Sequence, residues 1–151
     1  MAYDDINPKV TKAVEAFNNM NCAQAVFSTF APDLGIDRIS ALKISFPFGG
    51  GLGRQGEICG AVAGALMALG LKYSNFSNPE ENPKEVMYAK TVEFCQKFEA
   101  IHKSKLCRDL SGINSMDIEA WKKAGEEGVF TTLCPQFVAT AAQILTEMGV
   151  E

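Results

Sequence analysis

Cysteine thiols are the side chains of this 151-residue chain best suited to redox or metal chemistry, and there are five. Cys22 follows Asn21, a residue type that caps helices, and Cys59 opens a long apolar segment. Cys134 directly precedes Pro135, which favours the first helical turn, so Cys134 is a predicted N-cap. The free N–H groups and the dipole of a helix N-terminus favour thiolate over thiol, so we expect lowered pKa values at these three cysteines.

The remaining two cysteines have different surroundings. Cys107 is followed by Arg108, and Lys103 and Lys105 precede it, so nearby cations favour its thiolate. Cys95 lies in the middle of a predicted helix, on its apolar face, where a free cysteine usually packs as a small hydrophobic residue. The odd count therefore divides into four cysteines suited to chemistry and one suited to the core.

Several kinds of cysteine site remain open from the residues alone. No CxxC is present, which excludes a thioredoxin-type motif and a zinc ribbon. Four thiols from separate helices can pair as disulfides, or ligate zinc or an iron–sulfur cluster, with His102 as a substitute ligand. A lone histidine is more often a surface residue, and scattered cysteines are often core residues. In the redox hypothesis Cys59 is the predicted attacking thiolate, because it combines a helix terminus with a glycine-rich approach.

A glycine-rich segment at residues 47–56 leads toward Cys59 and contains five of the 13 glycines. That density is costly in a helix or strand, so the segment is predicted to be a loop. It contains a G-x-G-x-x-G sequence before a helix, where backbone N–H groups can bind an anion. The match is weak as a dinucleotide site because no βαβ unit surrounds it, and we favour a loop that only permits a tight path. The candidate ligand-binding residues are Gly51, Gly53, Arg54, Gly56 and Gly60.

Helical spacing of apolar residues runs along nearly the whole chain, and no strand pattern of any length appears. The longer predicted helices cover residues 57–73, 84–102, 117–127 and 135–148, and another begins after Asn21, with its end marked by Pro32 and Gly35. The helix over 57–73 is almost wholly apolar, and its Gly60, Gly64 and Ala68 recur every four residues, which lets another backbone approach closely. The prediction is an all-α, single-domain helical bundle over residues 1–151, built around a buried small-residue central helix.

Composition and charge exclude several functions. A net charge of −4 and a pI of about 5.1 argue against a nucleic-acid binder. The apolar run from Ile58 to Leu71 would be about 21 Å long as a helix. A bilayer core needs about 30 Å, so we expect no membrane embedding. The first residues do not resemble a secretory signal, so we expect a cytoplasmic protein with reduced thiols.

The segment from Cys59 to Gly64 reads Cys-Gly-Ala-Val-Ala-Gly, with Cys22 before it and Cys107 and Cys134 after it. With the glycine-rich loop and the Ala-Leu-Met-Ala-Leu-Gly-Leu run after Gly64, the chain resembles the redox-active protein family named for its C_GCAxxG_C_C pattern. The likeness spans nearly the whole chain. It implies an all-helical redox protein whose four recurrent cysteines are these four, leaving Cys95 outside the pattern.

The same resemblance implies a functional link to a transporter, because members are often encoded near transporter genes. The redox partner is unknown from the sequence. An exposed small-residue face could also support a homo-oligomer.

Overall fold

Helices form the architecture of this computed structural model, which describes residues 7–77 and 83–151. In chain order they are α1 (Pro8–Ala16), α2 (Cys22–Phe30), α3 (Arg38–Ser45), α4 (Gly49–Leu52), α5 (Gly60–Tyr73), α6 (Lys84–His102), α7 (Cys107–Ser111), α8 (Ile118–Glu126) and α9 (Val129–Glu147). The described ranges contain no β-strand, only an isolated bridge between Ile58 and Leu106. The all-α prediction is confirmed. The sequence also predicts a polar turn over residues 77–83, and most of that segment lies outside the described residues.

The start of α2 follows from its sequence. The Asn21 side chain accepts the Gln24 N–H at 2.9 Å, and the Gln24 side chain accepts the Asn21 N–H at 3.1 Å. This reciprocal capping box satisfies two backbone donors that a helix start leaves unpaired. Cys22 is therefore fixed as the first residue of α2, as predicted.

The central helix α5 packs against α2 through its small residues, as predicted. A Cβ added at Gly64 would lie 2.5 Å from the Ala23 carbonyl oxygen, and one added at Gly60 would lie 2.5 Å from Cys22 Sγ. Ala68 continues this face and is fully buried. Only hydrogen side chains at both glycines permit the approach that places the start of α5 beside the start of α2.

The last helix begins earlier than predicted. α9 starts at Val129, directly after Gly128, whose φ of 77° suits glycine and separates α9 from α8. Pro135 lies inside α9, so the prediction of Cys134 as its N-cap is wrong. Proline marks a helix start only statistically, and an interior proline costs the helix one backbone hydrogen bond that tertiary packing can offset.

One described helix is long and apolar enough to cross a membrane by length and composition alone, and it is α9. The core helix of a soluble protein meets the same criterion. One face of α9 is buried against the rest of the fold. Its buried residues are Phe137, Val138, Ala139, Ala141, Ala142, Ile144 and Leu145.

Candidate functional site

The four cysteines of the predicted site meet at one cavity of about 240 Å³. They arrive from four helix segments: Cys22 from the start of α2, Cys59 from the residue before α5, Cys107 from the start of α7 and Cys134 from α9. We call this the thiol cavity. Its other lining residues are Phe17, Met20, Asn21, Gly50, Gly60, Leu110, Ser111, Trp121, Phe130 and Phe137.

Cys22 and Cys59 are neighbours in the cavity, and the Cys59 thiol is placed to donate a hydrogen bond to the Cys22 sulfur. The close packing of α2 on α5 at Gly60 is what brings the two sulfurs together. Cys59 is 4% exposed and acts as the N-cap residue of α5. Both cysteines are free thiols in this structure.

The pKa values of this pair are displaced in opposite directions. The Cys59 thiol hydrogen bond lowers the pKa of Cys22 to about 7, and backbone N–H groups of Gly50, Ala23 and Ala61 lower it further, against the opposing effect of burial. Donating that hydrogen bond, together with burial and the nearby Cys22 charge, raises the pKa of Cys59 well above its usual value. These directions favour the thiolate at Cys22, whereas the sequence alone predicted Cys59 as the attacking thiolate.

A short pairing between two loop segments brings Cys107 to the cavity. The Cys107 N–H donates to the Glu57 carbonyl at 2.7 Å, and the Cys59 N–H donates to the Lys105 carbonyl at 2.7 Å. Gly51 completes the fit, because a Cβ there would lie 2.8 Å from Cys107 Cβ. The glycine-rich segment thus has a packing role directly beneath a site cysteine.

The expected lowering of the Cys107 pKa is not found. Burial, followed by the charge on Cys22, raises the pKa of Cys107 to about 11. The neighbouring cations have other partners: Arg108 pairs with Glu57 at 3.4 Å, and Lys105 pairs with Glu99 at 3.2 Å. Sequence proximity predicted charge–thiolate attraction, but the fold directs two of these cations to carboxylates.

Cys134 is likewise a protonated thiol. Its position inside α9 removes the free N–H groups of a helix start. Burial first, then the charges on Cys22 and Cys107, raise its pKa to about 12. The thiol cavity therefore combines one thiolate near neutral pH with three thiols that stay protonated.

Cys95 and His102 lie away from this cavity lining. Cys95 is half-buried on α6 and packs against the core, and burial raises its pKa. His102 Nε2 is 2.8 Å from Thr140 Oγ1, and its ring packs at 4.9 Å from those of both Phe98 and Phe137. Burial lowers the pKa of His102, which favours its neutral form.

The glycine-rich segment, predicted as a loop, contains the short element α4, and its backbone is left-handed instead of following an ordinary α-helix. From residue 50 to residue 54 every φ lies between 65° and 70°, including those of Leu52 and Arg54. Several of its N–H groups are already bound within the chain: those of Gly53 and Arg54 donate to Gly49, and that of Gly56 donates to Gly50. These three donors are not available to cradle an anion. The geometry gives the segment two other roles, packing under Cys107 and an N–H contact with the Cys22 sulfur.

Within residues 7–77 and 83–151, no group of three or more His, Cys, Asp or Glu side chains is placed to hold a metal ion. The four cavity thiols offer suitable donor types for zinc or a cluster. Their arrangement does not fit either group.

Sequence reasoning missed the aromatic wall of the thiol cavity. Trp121 of α8 and Phe130 of α9 stack with ring centroids 4.2 Å apart, and both line the cavity. In the sequence, Trp121 is an aromatic residue within the otherwise polar helix predicted over residues 117–127. A lone exposed-looking aromatic residue on such a helix is the signal that could have indicated this wall.

An all-helical domain that gathers four cysteines around one cavity defines a class of thiol-bearing protein. The chain matches the family described as "Putative redox-active protein (C_GCAxxG_C_C)" over residues 20–148, and it belongs to that family. It is also similar to an uncharacterized protein of Archaeoglobus fulgidus, 30% identical over 124 residues, which cover 76% of this chain and 82% of that protein. No solved structure matches.

Proposed function

We propose that the protein is a dithiol–disulfide redox protein in which Cys22 is the attacking thiolate and Cys59 resolves the mixed disulfide. The observation that carries this proposal is the close packing of α2 on α5 at Gly60, which places both thiols in one cavity within hydrogen-bonding reach of each other. The pKa of Cys22, lowered to about 7, agrees with it. A thiol of that pKa is partly ionised near neutral pH and remains a good nucleophile.

The reaction balances without an added cofactor. The Cys22 thiolate attacks one sulfur of a substrate disulfide, forms a Cys22–substrate disulfide and releases the other substrate sulfur as a thiolate. The Cys59 thiol loses its proton to the released thiolate. Its sulfur then attacks the Cys22 sulfur and displaces the remaining half of the substrate as a thiolate. Two electrons pass from the protein dithiol to the substrate disulfide, and the reverse sequence oxidises a substrate dithiol.

The electrostatics of the pair support this order of steps. The Cys22 thiolate is what raises the pKa of Cys59, both by accepting its hydrogen bond and by its charge. When Cys22 is bound in a mixed disulfide, that charge is gone. Cys59 then ionises more easily, at the step where its thiolate is needed.

The other two cavity cysteines do not compete for the first attack. Cys107 and Cys134 have pKa values of about 11 and 12, so their thiolate populations near neutral pH are small. Selectivity among the four thiols therefore comes from ionisation, since all four line the same cavity.

Disulfide mapping tests the proposal. We expect mild oxidation of the reduced protein, followed by alkylation and peptide mass spectrometry, to yield a Cys22–Cys59 disulfide before any other. Cys95→Ser, outside the cavity, is the matched control and should leave that pairing intact. Oxidation that spares Cys22, or zinc or iron bound to all four thiols after anaerobic purification, would defeat the proposal.

A further inference from the structure

The wall of the thiol cavity carries an inference about what reaches Cys22. Among the described residues that line it, none is acidic, basic or histidine. Besides the cysteines, the wall consists mainly of aromatic and aliphatic side chains. Phe17, Met20, Leu110, Trp121 and Phe130 are only partly buried, so the apolar wall is reachable from solvent.

The two polar side chains of the wall are already engaged. Asn21 Nδ2 donates to the Phe46 carbonyl at 3.0 Å, while its oxygen accepts the Gln24 N–H. Ser111 Oγ donates to the Cys107 carbonyl at 2.9 Å and accepts the Ile113 N–H at 3.1 Å. A carboxylate or ammonium group entering the cavity would lose its hydration and meet no charged side chain among the lining residues, which is unfavourable.

Cavity size sets a second limit. An apolar cavity of about 150 Å³ is enough to bind benzene. The thiol cavity, at about 240 Å³, therefore admits a group of one to two small rings. The stacked pair of Trp121 and Phe130 gives an aromatic ring a flat surface to pack against.

We infer that the substrate that reacts with Cys22 is a small, uncharged, apolar or aromatic disulfide or thiol. This inference rests on the proposed function. Ionic peptides and charged thiols such as glutathione are excluded as preferred substrates, because their charged groups would be desolvated at the wall. Cys22 attacks as described above: one substrate sulfur bonds to Cys22, and the other leaves as a thiolate that takes up a proton in solvent.

Two aromatic disulfides of opposite character test the inference. Neutral dithiodipyridine and dianionic dithiobis(nitrobenzoate) both release a coloured product when a thiolate attacks. The rate for each with reduced protein is divided by its rate with N-acetylcysteine under the same conditions. We expect the normalised rates to favour the neutral reagent by roughly tenfold or more, because burying an unpartnered charge costs at least that factor.

A charge placed on the wall provides the second arm. Leu110 is partly exposed, so Leu110→Lys can fold with its ammonium at the cavity, and Leu110→Met is the matched uncharged control. We expect Leu110→Lys to shift the ratio toward the dianionic reagent, and Leu110→Met to leave it unchanged. A change in the Cys22 pKa alters the rates of both reagents alike. The ratio of their normalised rates therefore reports the effect of the charge on the cavity wall.

The outcomes separate this inference from the proposed function. Equal normalised rates for the two reagents, or a ratio insensitive to Leu110→Lys, overturn the inference even when a Cys22–Cys59 disulfide forms. A neutral preference in which mass spectrometry finds Cys22 still joined to half of the reagent supports the substrate class and removes Cys59 as the resolving thiol. A neutral preference that ends in a Cys22–Cys59 disulfide supports both.

Discussion

Two edges of the thiol cavity present cysteines of opposite character. At the α2–α5 edge, Cys22 accepts a thiol hydrogen bond and backbone N–H contacts, and its pKa falls to about 7. At the α7–α9 edge, Cys107 and Cys134 have burial without such donors, and their pKa values rise to about 11 and 12. The difference shows that donors to the sulfur, and not proximity to the cavity or to cations in sequence, decide which cysteine ionises.

The largest effect should come from forcing the α2–α5 edge apart. Gly64→Ala places a Cβ 2.5 Å from the Ala23 carbonyl oxygen, a backbone atom that cannot move alone. We expect the free energy of unfolding to fall by about 1–3 kcal/mol, the usual cost of overpacking, or the protein not to fold. Denaturant titration measures this free energy. The pH profile of Cys22 alkylation should show that the Cys22 pKa is no longer lowered.

Gly70→Ala is the matched control in the same helix, because nothing lies within 4 Å of its added Cβ. It should stabilise the protein by about 0.5–1 kcal/mol, the helix preference of alanine over glycine. Equal effects of the two substitutions would show that close approach at Gly64 does not hold this edge together.

The second largest effect should come from removing the hydrogen bond that Cys59 donates to Cys22. Cys59→Ala removes the leading cause of the low Cys22 pKa and leaves burial, which raises it. We expect the pH profile of Cys22 alkylation to move upward by at least about one unit, which lowers its rate at pH 7 roughly tenfold. Cys107→Ala, at the opposite edge, should leave the Cys22 profile nearly unchanged. A Cys59→Ala profile like that of the wild type would place the cause elsewhere.

The free energy of unfolding should change with pH in opposite directions for the cysteines of the two edges. The pKa of Cys22 is lowered from 9.0 to about 7, so its stabilising contribution is present above pH 9 and is lost as pH falls toward 7. The pKa of Cys107 is raised from 9.0 to about 11, so its contribution is present below pH 9 and is lost as pH rises toward 11. Each contributes roughly 2–3 kcal/mol at most, from two pKa units.

Denaturant titrations in reductant, at several pH values, measure these contributions. Cys22→Ser should remove the rise in stability between pH 7 and 9, and Cys107→Ser should reduce the loss between pH 9 and 11. Variants that keep the wild-type slopes in those windows would contradict the assigned shifts.

The sequence predicted the helical fold, and Cys22 and Cys59 beside helix starts, because those signals are local: apolar spacing, the Asn21 cap and the small residues of α5. The set of four cysteines rested on the family resemblance as well. It did not predict which thiol ionises, since the hydrogen bond from Cys59 to Cys22 depends on how two helices pack. It placed Cys134 at a helix start because Pro135 is ambiguous without tertiary context. The cations beside Cys107 predicted a favoured thiolate for the same reason. Arg108 instead pairs with Glu57, which is far away in the sequence.

The smallest predicted effect concerns Arg54, between the glycine-rich segment and the aromatic wall. Its φ of 69° is strained for a residue with a Cβ, while its guanidinium lies 5.5 Å from the Trp121 ring centroid. Arg54→Ala loses the cation–π contact and keeps the strain, which should cost about 0.5–1 kcal/mol. Arg54→Gly loses the same contact and relieves the strain, by about 1 kcal/mol. Denaturant titration should therefore find the glycine variant the more stable of the two; the opposite order would mean that the left-handed turn relaxes when Arg54 is removed.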